Sequence, residues 1–541
     1  MLSRRLAASP LQYRLGRFAL RNYHKCVAVI LTLALVNCFW RLSATVISDL
    51  DEARYGVAAS EMLHNHSALI ATYAGRPEYW NLKPPLGYWM EELAYHAFGS
   101  SVFALRLPSA LCAVAMIALS ISLCRRWYGR RSALLAGLIL TTCFGLISHH
   151  GARSGDLDSA LTLILLVAVI QVPKLAESAG ARLLWAAAIA LGFLLKSFAV
   201  LPFVLLSAIY LAWSGDWRQC RWRDWISAAM LLSGIIFGWV LARCWVDHSM
   251  YFVTRMLHED LLTRSTSVID PERHRPWAYP LVLLDRFAPW PLLILAGALA
   301  GALRRKPLPV AAAPRHSRLL LLWALVPLMA FSLARTQHHW YLDPIYPVLS
   351  MLAATASLNL MALPAVPGRI AAVSVLVLGL LFCEARILMR AGWTDRRPQN
   401  QVALMALQDH VLIPAGQTIR TAFALSHSER FILQVVDGYR VVEPDEPQPC
   451  ASAAPAGQCV LLLRRRPGAM MTAASQSGMR SVAIGADYVL LTAAEPAGPV
   501  VPLERRAFVT AGGTHVDTTV DGAANIARGS HRIDFLLDIR R

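Results

Sequence analysis

The sequence predicts a mainly helical protein that crosses a membrane several times and ends in a soluble α/β domain. Of its 541 residues, 56% are hydrophobic and only 16% are charged, and the mean hydropathy is +0.45. Soluble chains are typically about 45–50% apolar and about 25% charged. The apolar residues here form blocks of roughly 17–25 residues, the length that crosses a hydrocarbon core as a helix. Residues 391–541 lack such blocks and mix strand-like with helix-like stretches, which indicates a separate domain.

Eleven apolar blocks follow a basic N-terminal tail, residues 1–25. No small-residue cleavage site follows the first block, so we expect an uncleaved first span rather than a signal peptide. Because the stretch between residues 159 and 213 can be divided in more than one way, we expect about 11–13 transmembrane helices. The blocks lie near residues 26–44, 102–123, 132–148, 159–173, 183–195, 198–213, 225–246, 279–302, 318–334, 342–361 and 369–390.

The loops between these blocks differ in charge. Every second loop is rich in arginine or lysine, and loops of this kind face the cytoplasm. The pattern predicts a cytoplasmic N-terminus and a C-terminal domain on the opposite side, the periplasm if the membrane is a bacterial inner membrane. The formal net charge is +18, but its arginines form short clusters rather than one basic face, so we expect no nucleic-acid partner.

The first outside loop, residues 45–101, contains two informative stretches. It opens with Ser48-Asp49-Leu50-Asp51-Glu52-Ala53-Arg54-Tyr55, which contains three carboxylates and an arginine. Such charges are unfavourable at a membrane edge unless they form ion pairs or take part in binding or catalysis. Farther on, Lys83 precedes Pro84-Pro85, which keep it on a stiff, non-helical segment among aromatic residues. An ammonium at headgroup depth suits a lipid phosphate. A solvated turn and an interfacial anchor are the alternatives for the two stretches.

Three more outside loops contribute carboxylates, cations and imidazoles to the same membrane face. Lys196 is interpreted as a snorkelling lysine between two spans. His149 and His150 are interpreted as interfacial polar residues rather than metal ligands. The remaining candidates in these loops are Arg153, Asp158, Arg255, His258, Glu259, His338, His339 and Tyr341.

Taken in order, these motifs resemble the bacterial polytopic GT-C glycosyltransferases related to protein O-mannosyltransferases and to the lipid A aminoarabinose transferases. The resemblance covers about residues 26–390. It implies a GT-C module at 26–390 with amphipathic helices in the first outside loop, followed by a periplasmic α/β domain at 391–541. It rests on Asp51-Glu52-x-Arg54-Tyr55, Lys83-Pro84-Pro85-Leu86-Gly87-Tyr88-Trp89, Ala152-Arg153 with Asp158, and His338-His339-Trp340-Tyr341.

The resemblance also implies an activity and roles for residues. The expected reaction moves a monosaccharide from undecaprenyl phosphate to a periplasmic acceptor with inversion. Asp51 is then the general base, and Asp158 is a second catalytic carboxylate that orients a substrate. The donor phosphate is held by Lys83, with Arg54, Tyr55, Arg255 and Tyr341. Residues that contact the acceptor or orient the reactants are Glu52, Arg153, His258, Glu259, His338 and His339.

Several properties stay open at this point. Lipid A or lipopolysaccharide is the leading acceptor, with protein or another glycan as alternatives, and we expect a monomer among membrane lipids. The aminoarabinose transferases have an acidic residue before the lysine of Lys-Pro-Pro, whereas Leu82 stands here, so no metal ligands are assigned and a divalent metal remains open. Cys450 and Cys459 form a disulfide or stay as two thiols. A transporter or flippase of lipid-linked sugars is the alternative function, although it should place ionisable residues near mid-span.

Overall fold

The computed structural model is mainly helical, which confirms the predicted fold class. It describes residues 20–148, 150–263, 266–267, 277–303, 313–363, 366–390, 398–405, 407, 416–421, 423–443, 460–464, 480–484 and 488–492. Cys450 and Cys459 lie outside these residues, as does His149.

The first outside loop contains two helices, as predicted, and a small hairpin joins them. Helix α1 (Tyr23–Phe39) leads into α2 (Asp51–Asn65), whose first turn contains Asp51 and Glu52, where carboxylates interact favourably with the helix dipole. The hairpin turns at Gly75, whose φ of 72° is accessible to glycine at little cost. The remaining elements are β1 (Thr72–Tyr73), β2 (Arg76–Pro77) and α3 (Leu86–Phe98).

Six helical stretches of the described chain are long and apolar enough to cross a membrane, and one bent pair makes a seventh if it is counted as one span. The eleven predicted blocks exceed this number partly because three of them form helices of only 17, 12 and 14 residues. The six are Val102–Tyr128, Ala179–Ser214, Trp222–Asp247, Arg315–Leu333, His339–Met361 and Val366–Leu388, and the bent pair is Ala278–Arg286 with Trp290–Leu303.

The stretch Ala179–Ser214 folds back on itself instead of running straight. Trp185 Nε1 donates to Ser207 Oγ over 3.1 Å, and Arg315 contacts both Glu177, just before the stretch, and Asp216, just after it. A straight helix of this length would measure about 54 Å, well beyond a hydrocarbon core of about 30 Å. The stretch is therefore two antiparallel helices with Lys196 and Ser197 at the turn, as the two separate apolar blocks predicted.

The helices of the membrane part pack around one large apolar core. The kinked pair, bent by 107°, adds to its wall. In chain order the helices after α3 are α4 (Val102–Tyr128), α5 (Arg130–Thr141), α6 (Phe144–Ile147), α7 (Asp158–Gln171), α8 (Ala179–Lys196), α9 (Leu201–Ser214), α10 (Ile226–Asp247), α11 (Tyr251–Met256), a π-helical turn (Leu257–Thr263), α12 (Ala278–Arg286), α13 (Trp290–Leu303), α14 (Pro314–Leu333), a 3₁₀ segment (His339–Ile345), α15 (Tyr346–Met361) and α16 (Val366–Leu388). A smaller apolar cluster lies between α1, α4, α6 and α16.

The basic loops meet at one end of this helix assembly. Trp127 stacks on His316 with ring centroids 4.7 Å apart, and the adjacent Arg315 pairs with Glu177 and Asp216. The loops with the candidate site residues meet at the other end. The grouping agrees with the predicted loop alternation, and which end faces the cytoplasm stays a prediction.

The C-terminal part contains a mixed five-stranded sheet in the order β4 (Arg440–Val442), β3 (Thr418–Thr421), β5 (Val460–Arg464), β7 (Tyr488–Thr492), β6 (Arg480–Ile484). Strand β3 is parallel to β4 and β5, and β7 is antiparallel to β5 and β6. The described elements are those of an α/β unit, and its separateness as a soluble domain stays a prediction. They are α17 (Gln399–Met405), β3 (Thr418–Thr421), α18 (His427–Phe431), β4 (Arg440–Val442), β5 (Val460–Arg464), β6 (Arg480–Ile484) and β7 (Tyr488–Thr492).

Candidate active site

A cavity of about 200 Å³ lies where the outside loops meet. Its wall is mostly apolar and comes from the turn between α8 and α9, the π-helical turn and the end of α14. Charged and polar side chains are interspersed in this wall. They come from five separate loops: Lys83, Asp158, Lys196, Ser197, Asp260, Thr336 and Tyr341.

Lys83 forms a two-pronged contact in this cavity. Its Nζ lies 2.9 Å from Oδ2 and 3.1 Å from Oδ1 of Asp260, which also accepts a hydrogen bond from Ser197 Oγ over 2.9 Å. Lys83 is kept out of helix by the prolines that follow it, and its backbone amide donates to the carbonyl of Asn81 over 2.8 Å. The rigid segment thus holds a cation at the cavity, as the sequence predicted.

Asp158 forms a second ion pair beside the first. It begins α7, and its Oδ1 lies 2.5 Å from Nζ of Lys196 at the turn after α8. The Asp158 side chain is only 3% exposed and that of Lys196 is 17% exposed. Asp158 Oδ2 has no hydrogen-bond partner among the described residues, so this buried oxygen can accept a hydrogen bond from a substrate.

Asp51 lies next to an ion pair between His150 and Asp156, and it does not line the cavity. One ligand atom of each of these three residues lies within 4.8 Å of the others. His150 Nδ1 lies 3.1 Å from Asp156 Oδ2, and the imidazole stacks on Trp340 at 3.6 Å. Within the described part of the chain, Asp51 makes no ion pair with lysine or arginine. A half-buried carboxylate of this kind can accept a proton.

The neighbouring carboxylates also set the charge of His150. Burial alone would lower the pKa of His150, but the carboxylates around it, Asp156 foremost, outweigh burial and raise that pKa above its usual value. The imidazole therefore balances part of the negative charge near Asp51.

Arg54 faces away from Asp51. It donates to Glu78 Oε2 over 2.5 Å, and its guanidinium lies 4.1 Å from the centroid of Tyr73 and 4.6 Å from that of Trp80. Glu78 Oε1 in turn accepts from the backbone amide of Trp80 over 2.7 Å. Arg54 thus connects α2 to the segment before Lys83, and its contact with the donor phosphate stays a prediction.

Tyr55 is buried against Tyr88 of α3, with ring centroids 5.4 Å apart. Burial raises the pKa of Tyr55 well above its usual value, so its hydroxyl keeps its proton. Neither ring is among the residues lining the cavity. Tyr341, by contrast, lines it directly.

Glu52 and Arg153 are engaged with the protein itself. Glu52 Oε1 accepts from Arg106 Nε over 2.6 Å and from the Gly155 amide over 2.8 Å. Arg153 Nη1 donates to the carbonyl of Asn37 in the last turn of α1 over 2.9 Å. We assign both to support of the loops around Asp51 rather than to acceptor binding.

The other expected residues divide into two groups. Arg255 and Glu259 pair with each other over 2.6 Å on a partly exposed face, and exposed His258 lies beside them, so none of the three lines the cavity. His338 stacks on Trp340 at 4.4 Å, and His339 meets His150 edge to face at 5.9 Å. The two histidines thus contact Trp340 and His150, and His150 lies next to Asp51.

Four residues matter more than the sequence indicated. Asp260 was one of several charges in a long loop, Lys196 was read as snorkelling, and His150 as interfacial. Glu78 was not singled out at all. A signal for Asp260 does exist, because Arg255 and Glu259 satisfy each other at i and i+4, which leaves Asp260 on a different helix face.

Among the described residues, one group could hold a divalent cation: Asp51, His150 and Asp156. Two carboxylates and an imidazole are acceptable ligands for several transition metals. The aminoarabinose transferases have an acidic residue immediately before the lysine, but this chain has Leu82 at that position. A metal site that uses a carboxylate at that position therefore does not fit this chain.

Residues 82–242 match the family model described as dolichyl-phosphate-mannose-protein mannosyltransferase. Curated relatives carry the name undecaprenyl phosphate-alpha-4-amino-4-deoxy-L-arabinose arabinosyl transferase. The relative from Pseudomonas paraeruginosa is 30% identical over 319 residues, covering 57% of this chain and 55% of its own. The relative from Edwardsiella ictaluri is 29% identical over 369 residues, covering 63% and 61%. The chain thus matches little more than half the length of these relatives.

Two solved structures share the fold. ArnT from Cupriavidus metallidurans bound to undecaprenyl phosphate superposes with a TM-score of 0.63 at 19% identity, covering 87% of this chain and 99% of that one. Its apo state gives 0.62 at 18% identity, covering 86% and 98%. These structural matches confirm the GT-C fold that the motifs indicated.

Proposed function

We propose that the protein transfers a monosaccharide from an undecaprenyl-phosphate carrier to a lipid acceptor, lipid A or lipopolysaccharide, at the periplasmic face of a bacterial inner membrane. The supporting observation is the cavity that combines an apolar wall with Lys83 and Lys196. A polyprenyl phosphate has the same two parts, a long hydrocarbon and an anionic group. The names of the curated relatives and the carrier in the ArnT structure support this choice.

The leaving group is the phosphate of the carrier. As the bond between the anomeric carbon and the phosphate oxygen breaks, its electron pair stays on that oxygen. Lys83 stabilises the charge that grows there, because a fixed cation in a partly dry site needs little reorganisation. Asp260 must release Lys83 for this contact, since both anions would compete for the same ammonium.

The acceptor oxygen attacks the anomeric carbon from the opposite side, so the configuration inverts. Asp51 takes the proton of that oxygen. Of the two candidate carboxylates, Asp158 already binds the ammonium of Lys196 through Oδ1, whereas Asp51 makes no ion pair with lysine or arginine within the described part of the chain. Asp158 therefore orients a substrate through its second oxygen, Oδ2.

A donor assay tests the proposal. Purified protein in lipid nanodiscs is given lipid A and undecaprenyl phosphate carrying 4-amino-4-deoxy-arabinose, a pentose or a hexose. The expected result is a lipid A mass raised by one sugar, with one undecaprenyl phosphate released for each transfer. Movement of intact donor across a bilayer, without any change in the mass of an acceptor, would contradict the proposal and favour the flippase alternative.

The side of the membrane needs its own test. Single cysteines at Gly75 and Arg440, placed in a variant without native cysteines, should both react with a membrane-impermeant maleimide in intact spheroplasts. Labelling of either only after lysis would place the site in the cytoplasm and contradict the proposed orientation.

A further inference from the structure

The C-terminal part of the chain contacts the segment that precedes Asp51. The backbone amide and the hydroxyl of Ser428, in α18, each donate to Asp49 Oδ1 over 2.8 Å. Gln401, in α17, makes two hydrogen bonds with the backbone of Ile47, one of 3.0 Å and one of 3.1 Å. Two elements more than 350 positions away in the sequence thus hold both ends of the stretch 47–49.

This stretch needs outside support because α2 has a weak beginning. The residue that precedes the helix is Leu50, which has no side-chain group to cap the free amides of the first turn, and no such capping bond is present. Asp51 is the first helical residue, so the position of its carboxylate follows directly from the backbone of residues 47–50. Within the stretch, the Ser48 amide donates to Glu52 Oε2 over 2.9 Å, and the bonds from Ser428 to Asp49 add a constraint from outside it.

The same interface extends along α2, away from Asp51. Phe431 packs against Gly56 so closely that a Cβ added to this glycine would lie 2.3 Å from the ring. Nearly three helical turns from Asp51, at about 3.6 residues per turn, Gln434 Nε2 donates to Glu61 Oε1 over 2.9 Å. The docking of the C-terminal part therefore has one contact beside the candidate base and others remote from it.

We infer that Asp49 is a positioning residue for Asp51, and that Ser428 of the C-terminal part holds it in place. The inference rests on the proposed function. In this account the C-terminal part contributes to the reaction because it fixes the beginning of α2, the helix that carries the general base Asp51. Both donors of Ser428 reach the same oxygen of Asp49, Oδ1, so one side chain connects the two parts of the chain.

Paired substitutions in the full-length protein test this role. Asp49→Ala removes the acceptor for both bonds, and we expect kcat to fall about 10- to 100-fold, the loss that follows from misplacing a catalytic group by about 1 Å. The KM for the donor and the affinity for undecaprenyl phosphate should stay within twofold, because Lys83 is untouched. Asp49→Asn keeps one acceptor oxygen and should retain most of the kcat. Ser428→Ala removes one of the two bonds and should give an intermediate kcat, even if Asp49→Ala fails to fold.

A matched control separates positioning from general docking. Gln434→Met breaks a contact of the same interface far from Asp51 and should leave kcat unchanged. A wild-type kcat in Asp49→Ala would overturn the inference, as would a wild-type kcat in Ser428→Ala if Asp49→Ala fails to fold. So would a loss of kcat in Asp49→Asn equal to that in Asp49→Ala. An equal loss of kcat in Gln434→Met would overturn it as well. An inactive wild type with every donor would instead refute the proposed function, and this inference with it.

Discussion

Lys83 and Asp260 form a bidentate ion pair, with Nζ 2.9 Å and 3.1 Å from the two carboxylate oxygens. Both side chains are nearly buried, at 9% and 5% exposure. The lysine that we assign to the carrier phosphate is thus already held by an anion of the protein. Ser197 contacts the same carboxylate over 2.9 Å, so Asp260 is fixed from two sides.

Replacement of Lys83 should remove the contact with the leaving phosphate. A hydrogen bond between charged groups contributes about 1.5–3 kcal/mol, so Lys83→Ala should lower kcat/KM for the donor roughly ten- to a hundredfold. Turnover at low donor concentration, with insertion checked by size-exclusion chromatography, measures this. Arg255→Ala is the control, because Arg255 lies outside the cavity and pairs with Glu259. Equal turnover of Lys83→Ala and the wild type would exclude this role.

Replacement of Asp260 should have the opposite effect on donor binding. Asp260→Asn keeps a hydrogen-bond acceptor for Ser197 and Lys83 but removes the negative charge that competes with the phosphate. We expect the KM for the donor to fall severalfold and the thermal stability without ligand to drop, because a nearly buried ammonium loses its counter-charge. Undecaprenyl phosphate should then raise the Tm of this variant more than that of the wild type. A higher KM would mean that Asp260 positions Lys83 for the donor instead.

The Asp158–Lys196 pair gives a prediction about stability. Lys196→Met leaves the buried Asp158 carboxylate without its cation, which typically costs about 3–5 kcal/mol. The double variant Lys196→Met/Asp158→Asn removes the stranded charge and should recover much of the lost stability. Chemical unfolding in detergent measures both variants. Additive losses in the double variant would show that the two residues do not stabilise each other.

The pH dependence of stability should report on His427 in α18. Burial, and next to it the charge of Arg54, lower the pKa of this imidazole, which receives a 2.6 Å hydrogen bond from the Tyr73 hydroxyl when it is neutral. A histidine in an unfolded chain has a pKa of about 6.5. As the pH falls below this value the unfolded state binds the proton first, so the stability from neutral His427 is present above about pH 6.5 and is lost towards its lower folded pKa. Asp49, Glu78 and Arg430 are the other charged groups around it.

Thermal unfolding at pH 7.5 and pH 5.5 tests this dependence. The wild type should lose more stability on acidification than His427→Gln, which cannot bind a proton in this range. His96→Gln, a change at an exposed residue of α3, should behave as the wild type. Parallel curves for the wild type and His427→Gln would contradict the lowered pKa.

The sequence motifs predicted which loops form the site but not how their charges pair. Lys83 and Asp158 reach one cavity, as expected, because loops on the same membrane face meet above the helices. Arg54 lies three positions after Asp51 on one helix, a spacing that favours a contact between the two, yet it pairs with Glu78. That choice depends on the hairpin at residues 72–77 and on the ring of Trp80, which are contacts no helical periodicity contains.

Contacts between residues that are far apart in the sequence could not be predicted from sequence patterns either. The segment at Asp49 is completed by Ser428, and no local pattern connects the two residues. Each of the eleven predicted apolar blocks does contain helix, but three of these helices have only 17, 12 and 14 residues, because an apolar block indicates burial rather than helix length. The turn at Lys196 was predicted, since two adjacent apolar blocks with a polar break describe a hairpin.

The most direct test of the central claim compares Asp51→Asn with Asp158→Asn. An asparagine at position 51 keeps the size of the side chain but cannot take the proton of the acceptor oxygen, and loss of a general base slows a reaction about 10²–10⁴-fold. We predict that Asp51→Asn loses transfer to this extent while undecaprenyl phosphate still binds, and that Asp158→Asn weakens both binding and rate. Near-normal transfer by Asp51→Asn, with abolished transfer and intact binding in Asp158→Asn, would contradict the account and assign the base to Asp158.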